Sequence, residues 1–137
     1  MAAYNKFNSF VANVANKKYN LGSDQLVVAL CATANVPVAT NVKLSDLTVI
    51  AYTNLSSRNI TTTSSTQTSG TYSLILQDLT LTASGTVAPF QYVVIYDSAA
   101  TNFELIAWYD YGTPVTMNTN DQFVIDFDNV NGALQLV

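Results

Sequence analysis

Nine acidic side chains and no histidine bound the chemistry open to this chain. Without imidazole, no Ser-His or Cys-His nucleophile pair can be assembled, and the commonest zinc ligand is missing. The single cysteine, Cys31, sits in the apolar run QLVVALCA and reads as a small buried hydrophobe, with no second thiol for an intrachain disulfide. The five glycines stand singly at turns, so no loop is built to cradle a phosphate. Carboxylates remain, because glycoside hydrolysis needs only two acids a few ångströms apart.

The carboxylates to consider are Glu104, Asp110, Asp126 and Asp128. Glu104 and Asp110 share a face of the stretch ELIAWYDYG by parity, but six extended residues separate them by about 20 Å. A catalytic partner would have to come from another strand. The stretch DFDNVNG resembles a calcium loop only at first sight: counted from Asp126, its sixth position is Asn131 instead of glycine, and no twelfth-position glutamate follows. Asn54-Leu55-Ser56 and Asn59-Ile60-Thr61 match the glycosylation sequon, which has meaning only on a secretory route. No catalytic residue, metal or cofactor is expected.

The elements that would position these side chains are mostly strands. Phe7, Phe10, Val11 and Val14 fall at i, i+3, i+4, i+7, which predicts a helix over 5–18, with Asn5 at its cap, Lys17 and Lys18 in its last turn and Gly22 beyond. Residues 1–22 thus read as a helical segment packed on a β domain spanning 23–137. QLVVALCA (25–32) is apolar on both faces, as a central strand would be, and the Pro37-containing NVPVATNV reads as a connection. LTVIAYT (47–53) reads as a second strand. RNITTTSSTQTSGT (58–71) reads as an exposed edge strand closed by a Ser69-Gly70 turn.

TYSLILQDLTLT, FQYVVIYD and ELIAWYDYG then follow at the spacing of an all-β architecture. In the last of these, parity places Leu105, Ala107, Tyr109 and Tyr111 on one face and Glu104, Ile106, Trp108 and Asp110 on the other. QFVIDFD (122–128) alternates, with Phe123, Ile125 and Phe127 facing one way, and Asn131-Gly132 predicts a type I′ hairpin returning through ALQLV. About eight strands and one leading helix predict an all-β fold with one short N-terminal α-helix: an antiparallel two-sheet β-sandwich of jelly-roll type.

Composition bounds the partners. The chain is 49% hydrophobic but only 10% charged, with net charge -4 and five scattered basic residues, Lys6, Lys17, Lys18, Lys43 and Arg58. Nothing there neutralises a run of phosphates, so nucleic acid is not an expected partner. The start MAAYNKFNSF lacks the basic, apolar pattern of a signal peptide, and no apolar run has the length of a membrane span. The expected location is the cytosol, or a route out of the cell that needs no signal, such as a virus particle.

KFNSFVANVANKKYNLGSDQLVVALC, PVATNVKLSDLTVIA, TSGTYSLILQDLTLTASG, PFQYVVIYDSAATN, LIAWYDYG and FVIDFDNVNGALQLV, in this order, resemble the cement or decoration proteins that bind the outside of tailed-phage heads. The likeness covers nearly the whole chain and includes no catalytic motif. It implies a jelly-roll sandwich made in the host cytoplasm and carried on the capsid exterior. There it would join neighbouring major capsid subunits at local symmetry axes, as a homodimer or alternatively a trimer. The contact surface expected is the N-terminal segment and the 58–71 edge: Tyr4, which either packs on the domain or meets a partner, together with Phe7, Arg58 and Ile60. Three other readings compete. A carbohydrate-binding module would stack sugars on Trp108, Tyr109 and Tyr111, and burial of Trp108 counts against it. A carboxylate glycosidase needs two converging acids, and a tail or connector subunit differs mainly in where the protein sits.

Overall fold

The computed structural model describes residues 2–137. In chain order these form β1 (Ala3–Lys6), α1 (Ser9–Ala15), β2 (Leu26–Cys31), β3 (Thr62–Thr68), β4 (Thr71–Leu76), β5 (Leu79–Thr82), β6 (Val87–Asp97), β7 (Leu105–Met117), β8 (Gln122–Ile125) and β9 (Leu134–Leu136). The fold is mostly β, and every strand pair is antiparallel. A four-stranded sheet runs in the order β1-β7-β6-β2, a three-stranded sheet in the order β3-β4-β9, and β5 pairs with β8.

The four-stranded sheet is apolar on both faces because both are covered. Leu26, Val28 and Leu30 of β2 join the main core with Leu74, Leu76, Leu81, Ile125 and Phe127 from the other sheets and the segments beside them. The intervening Val27, Ala29 and Cys31 join a second cluster with Phe7, Val94 and Trp108, closed over by Ala39, Leu44 and Leu47 of the long loop after β2. A strand with hydrophobic groups facing both ways loses the alternation of a half-exposed strand, which is why QLVVALCA reads as an unbroken apolar run. Cys31 is fully buried there, and burial pushes its thiol up to about 11.

The N-terminal segment departs from the expected helix over 5–18. Residues 3–6 are captured as β1 by β7, with Tyr4 opposite Tyr109 and Lys6 opposite Ala107. The Phe7 amide bonds the Ile106 carbonyl and the Asn8 amide the Ala39 carbonyl, so the helix cannot begin before Ser9. Asn8, not Asn5, occupies the cap position, without a side-chain cap bond. The apolar spacing is real but does not form one helix face. Phe7 and Phe10 pack on opposite faces of the sheet, Phe7 against Trp108 and Phe10 against Tyr19, while Val11 is exposed. Lys17 and Lys18 lie beyond the last turn. Lys17 takes a left-handed φ of 60°, and the Lys18 amide returns to the Asn13 carbonyl, closing the helix by backbone geometry instead of by Gly22.

Two strand expectations are also corrected. LTVIAYT forms no strand; its one backbone bond to β2 runs from Ile50 to Leu30, and a turn with Asn54 at φ 66° follows. The Asn131-Gly132 hairpin does not form either, since β8 pairs with β5 and β9 pairs with β4. Gly132 has its positive φ, 95°, for a different purpose. A Cβ there would lie 2.8 Å from the Leu74 carbonyl oxygen, so glycine lets the chain approach β4 closely enough for β9 to pair. By contrast, the 58–71 segment does give an edge strand, β3, and the Ser69-Gly70 turn has positive φ at both residues, as a type I′ turn requires.

Parity in ELIAWYDYG fails at its first residues. β7 shifts register against β6 between the Ile95 and Tyr96 pairings, so Tyr96 meets Leu105 and Ile95 meets Ala107 with Ile106 between. Such a bulge adds one residue and flips the faces. Leu105 therefore joins Trp108 in the second cluster, while Ile106 joins Ala107 and Tyr109 in the main core.

Candidate interaction site

The two edges of the four-stranded sheet are finished differently, and the open one carries the candidate site. On β1 the Phe7–Ile106 bond (3.3 Å) sets the phase of the ladder. Alternation in an antiparallel pair then makes Ala3 and Asn5 the residues that exchange bonds with β7. Tyr4 and Lys6 direct their N–H and C=O groups to the other side, and no backbone hydrogen bond of the described residues meets them there.

Beside this edge runs an apolar groove whose far wall is β9, the edge of the three-stranded sheet. Tyr4 stands in the middle, with a cavity of about 280 Å³ on one side and about 290 Å³ on the other. The first is floored by Tyr109 and Tyr111 and rimmed by Asp126 and Asp128; the second is walled by Phe10, Val11 and Val14 of the α1 segment and by Leu134 and Leu136 of β9. Tyr4 is 42% exposed and meets Tyr109 edge-on at 5.6 Å. Tyr109 in turn packs on Phe127, and Tyr111 on Phe123 at 5.1 Å, so the floor is a rigid aromatic layer. Burial raises the phenols of Tyr4 and Tyr109, and burial followed by the Asp126 charge pushes Tyr111 up to about 12, so all three stay neutral in ordinary buffers.

The other expected contact residues lie elsewhere. Phe7 is fully buried and Ile60 is 3% exposed, so neither side chain presents a surface to a partner in this fold. Arg58 is half-buried: its guanidinium lies 3.6 Å from the Tyr52 ring centroid and donates from Nη1 to the Val28 carbonyl at 2.6 Å. The Val28 amide bonds the Arg58 carbonyl, and the Ile60 amide bonds the Leu26 carbonyl. Arg58 and Ile60 thus seal the β2 edge, while Tyr4 stands at the open one.

Glu104 and Asp110 are each engaged by local hydrogen bonds. Glu104 is buried, accepting bonds from the Asn102 amide and side chain, and Asp110 accepts from Gly112 and Gln91. Asp126 and Asp128 share the groove rim, and the amides of Asn131 and Val130 hold the Asp128 carboxyl below its usual range, so Asp128 is suited to stay ionised and not to donate a proton. Trp108 is 8% exposed and packed on Phe7, which removes the main stacking surface a sugar would use. Among the described residues no cluster of His, Cys, Asp or Glu is placed to hold a metal ion, and no helix is long and apolar enough to cross a membrane.

One acid pair escaped the sequence reading. Asp97, at the end of β6, is fully buried; its Oδ1 accepts from the Ala99 amide, while its Oδ2 has no hydrogen-bond partner. Asp97 pairs with Leu26 across the sheet, and the Asp24 side chain, from the turn just before β2, lies against it. Burial first, and the Asp24 carboxyl second, push Asp97 up to about 7. Its protonated form supplies the hydrogen that Oδ2 otherwise lacks. In sequence, an aspartate closing YVVIYD looks like an ordinary turn residue, and no local signal marks its partner.

No protein-family model matches this chain, and neither a curated protein nor a solved structure matches it.

Proposed function

We propose that this chain is a structural, non-catalytic protein of a virus particle: a cement or decoration protein that binds the outer surface of a tailed-phage head and reinforces contacts between major capsid subunits. The observation that carries the reading is the open β1 edge beside the aromatic groove around Tyr4, a prepared surface for protein with no catalytic pair beside it. The resemblance of the ordered segments from KFNSFVANVANKKYNLGSDQLVVALC to FVIDFDNVNGALQLV supplies the identity of the partner. On this reading the three sheets, which share one main core, are a jelly-roll-type sandwich. The protein is made in the host cytoplasm, sits on the capsid exterior and acts as a homo-oligomer, a dimer or alternatively a trimer.

Such a protein stabilises by mass action, because anything that binds the assembled lattice better than its separated subunits shifts the balance toward the lattice. Interfaces of standard size, roughly 800 Å² per partner, are enough when several act together. The test is addition of the purified chain to heads that lack it, followed by co-sedimentation and heating. Saturable binding and a higher disruption temperature are expected. Heads that neither bind the protein nor gain resistance overturn the reading.

A further inference from the structure

We propose that the open edge of β1 is completed by β1 of a second copy of this chain, in an antiparallel twofold pair centred on Tyr4. This names the surface for the self-association in the reading above, but it needs no capsid, so its test succeeds or fails independently of shell binding.

Three observations converge on a second copy as the occupant. The first is the hydrogen-bond phase. Tyr4 and Lys6 are the β1 residues whose backbone groups face outward. A twofold axis at Tyr4 sets Tyr4 opposite Tyr4 and Lys6 opposite Ala2, so the outward groups of each strand meet those of the other in register. The second is the side-chain face. Ala2, Tyr4 and Lys6 all line the groove, so the pair places two tyrosine rings directly across from each other over an aromatic floor.

The third is charge. Lys6 lines the cavity toward α1, while Ala2 lines the cavity rimmed by Asp126 and Asp128. Antiparallel pairing carries Lys6 of each copy to the Ala2 end of the other, toward the acidic rim, and keeps the two lysines apart. Asp128 is committed to its own turn through Val130 and Asn131, which leaves Asp126 as the counter-charge. A lysine on an edge strand ordinarily discourages pairing; here the register gives it an acid. Four residues of edge and a shallow groove make a small contact, so the free dimer is weak, and repetition on a symmetric surface strengthens it.

Sedimentation equilibrium of the full chain, from about 10 µM to about 1 mM, reads the outcome. The expected mass rises from 14.8 kDa toward twice that value. Lys6→Pro removes an outward N–H and leaves the bonds to β7 in place, so it weakens the dimer at least about tenfold while near-ultraviolet circular dichroism stays unchanged. Lys6→Glu weakens it on the order of tenfold, and adding Asp126→Lys to the same chain restores it. A monomer over the whole range overturns the proposal, as does a dimer indifferent to Lys6→Pro or a charge swap without rescue. If the chain is monomeric alone but the Tyr4 and Lys6 amides become protected from hydrogen exchange on capsids, another protein's strand fills the edge, and the second copy is ruled out.

Discussion

The two edges of one sheet show how the same backbone problem is solved in opposite ways. At β2, the segment around residues 50–60 supplies the missing partners: the Ile50 and Ile60 amides, the Arg58 carbonyl and guanidinium, and the Tyr52 hydroxyl, which accepts from the Leu30 amide. At β1, nothing in the described chain does the same for Tyr4 and Lys6. Unpaired edge groups invite another strand, so, if the open edge beside the apolar groove binds a partner as proposed, the chain separates stability from recognition. On the proposed reading, Ile60 and Arg58 belong to the first task and Tyr4 to the second.

That division is open to test. The largest effect is expected at the sealed edge, where Ile60→Ala should cost about 3 kcal/mol through the cavity it leaves, measured by urea denaturation. Tyr4→Ser, by contrast, should cost about 1 kcal/mol or less because the ring is only half-buried; equal losses at the two positions would erase the distinction.

Next comes the acid pair at the end of β2 and β6. Unfolding returns Asp97 to water and a pKa of about 4. Between there and about 7 the native state holds the extra proton, so stability is fully present at the acid end and falls as pH rises through 7. The loss should be on the order of 2 kcal/mol. Asp97→Asn should flatten this part of the stability profile, and an unchanged profile would place the proton elsewhere. Tyr19, which feels the charges of both Glu104 and Asp97, stays neutral with its phenol pushed up to about 12, chiefly by burial.

A smaller effect, about 1–2 kcal/mol, is expected for Arg58→Gln, which loses the Tyr52 stack and the short bond to Val28. The smallest perturbation is hydrogen exchange on the unmodified chain at low concentration. The Val28 and Ile60 amides should exchange slowly and those of Tyr4 and Lys6 rapidly; slow exchange at all four would mean that the β1 edge is already closed.

Much of the fold was legible where local and tertiary demands agree. The alternation in QFVIDFD correctly orients Ile125 and Phe127 inward, the Thr-rich 58–71 segment does yield an edge strand, and the two-faced apolar run at Cys31 does lie in a sheet covered on both sides. Reading failed where a distant strand competed for the backbone. The N-terminal apolar spacing is that of a helix, but β7 claims residues 3–6. NG is a strong hairpin signal, but the partner waiting for β9 is β4. Of the site, Tyr4 was singled out in sequence as a contact residue and Tyr109 and Tyr111 only as sugar-stacking platforms beside Trp108, while the β9 wall and the Asp24–Asp97 pair were not, because each depends on pairing across long separations.

The sequence by itself determined that no histidine and no cysteine pair are at hand and that the chain is strand-rich, since these follow from side-chain identity and local periodicity. Only the tertiary structure decided which edge is sealed, which face each aromatic takes and which carboxylate is buried. Those outcomes depend on which strands meet and in what register. A single bulge in β7 is enough to exchange the faces of Leu105 and Ile106, so that Leu105 sides with Trp108 and Ile106 with Ala107.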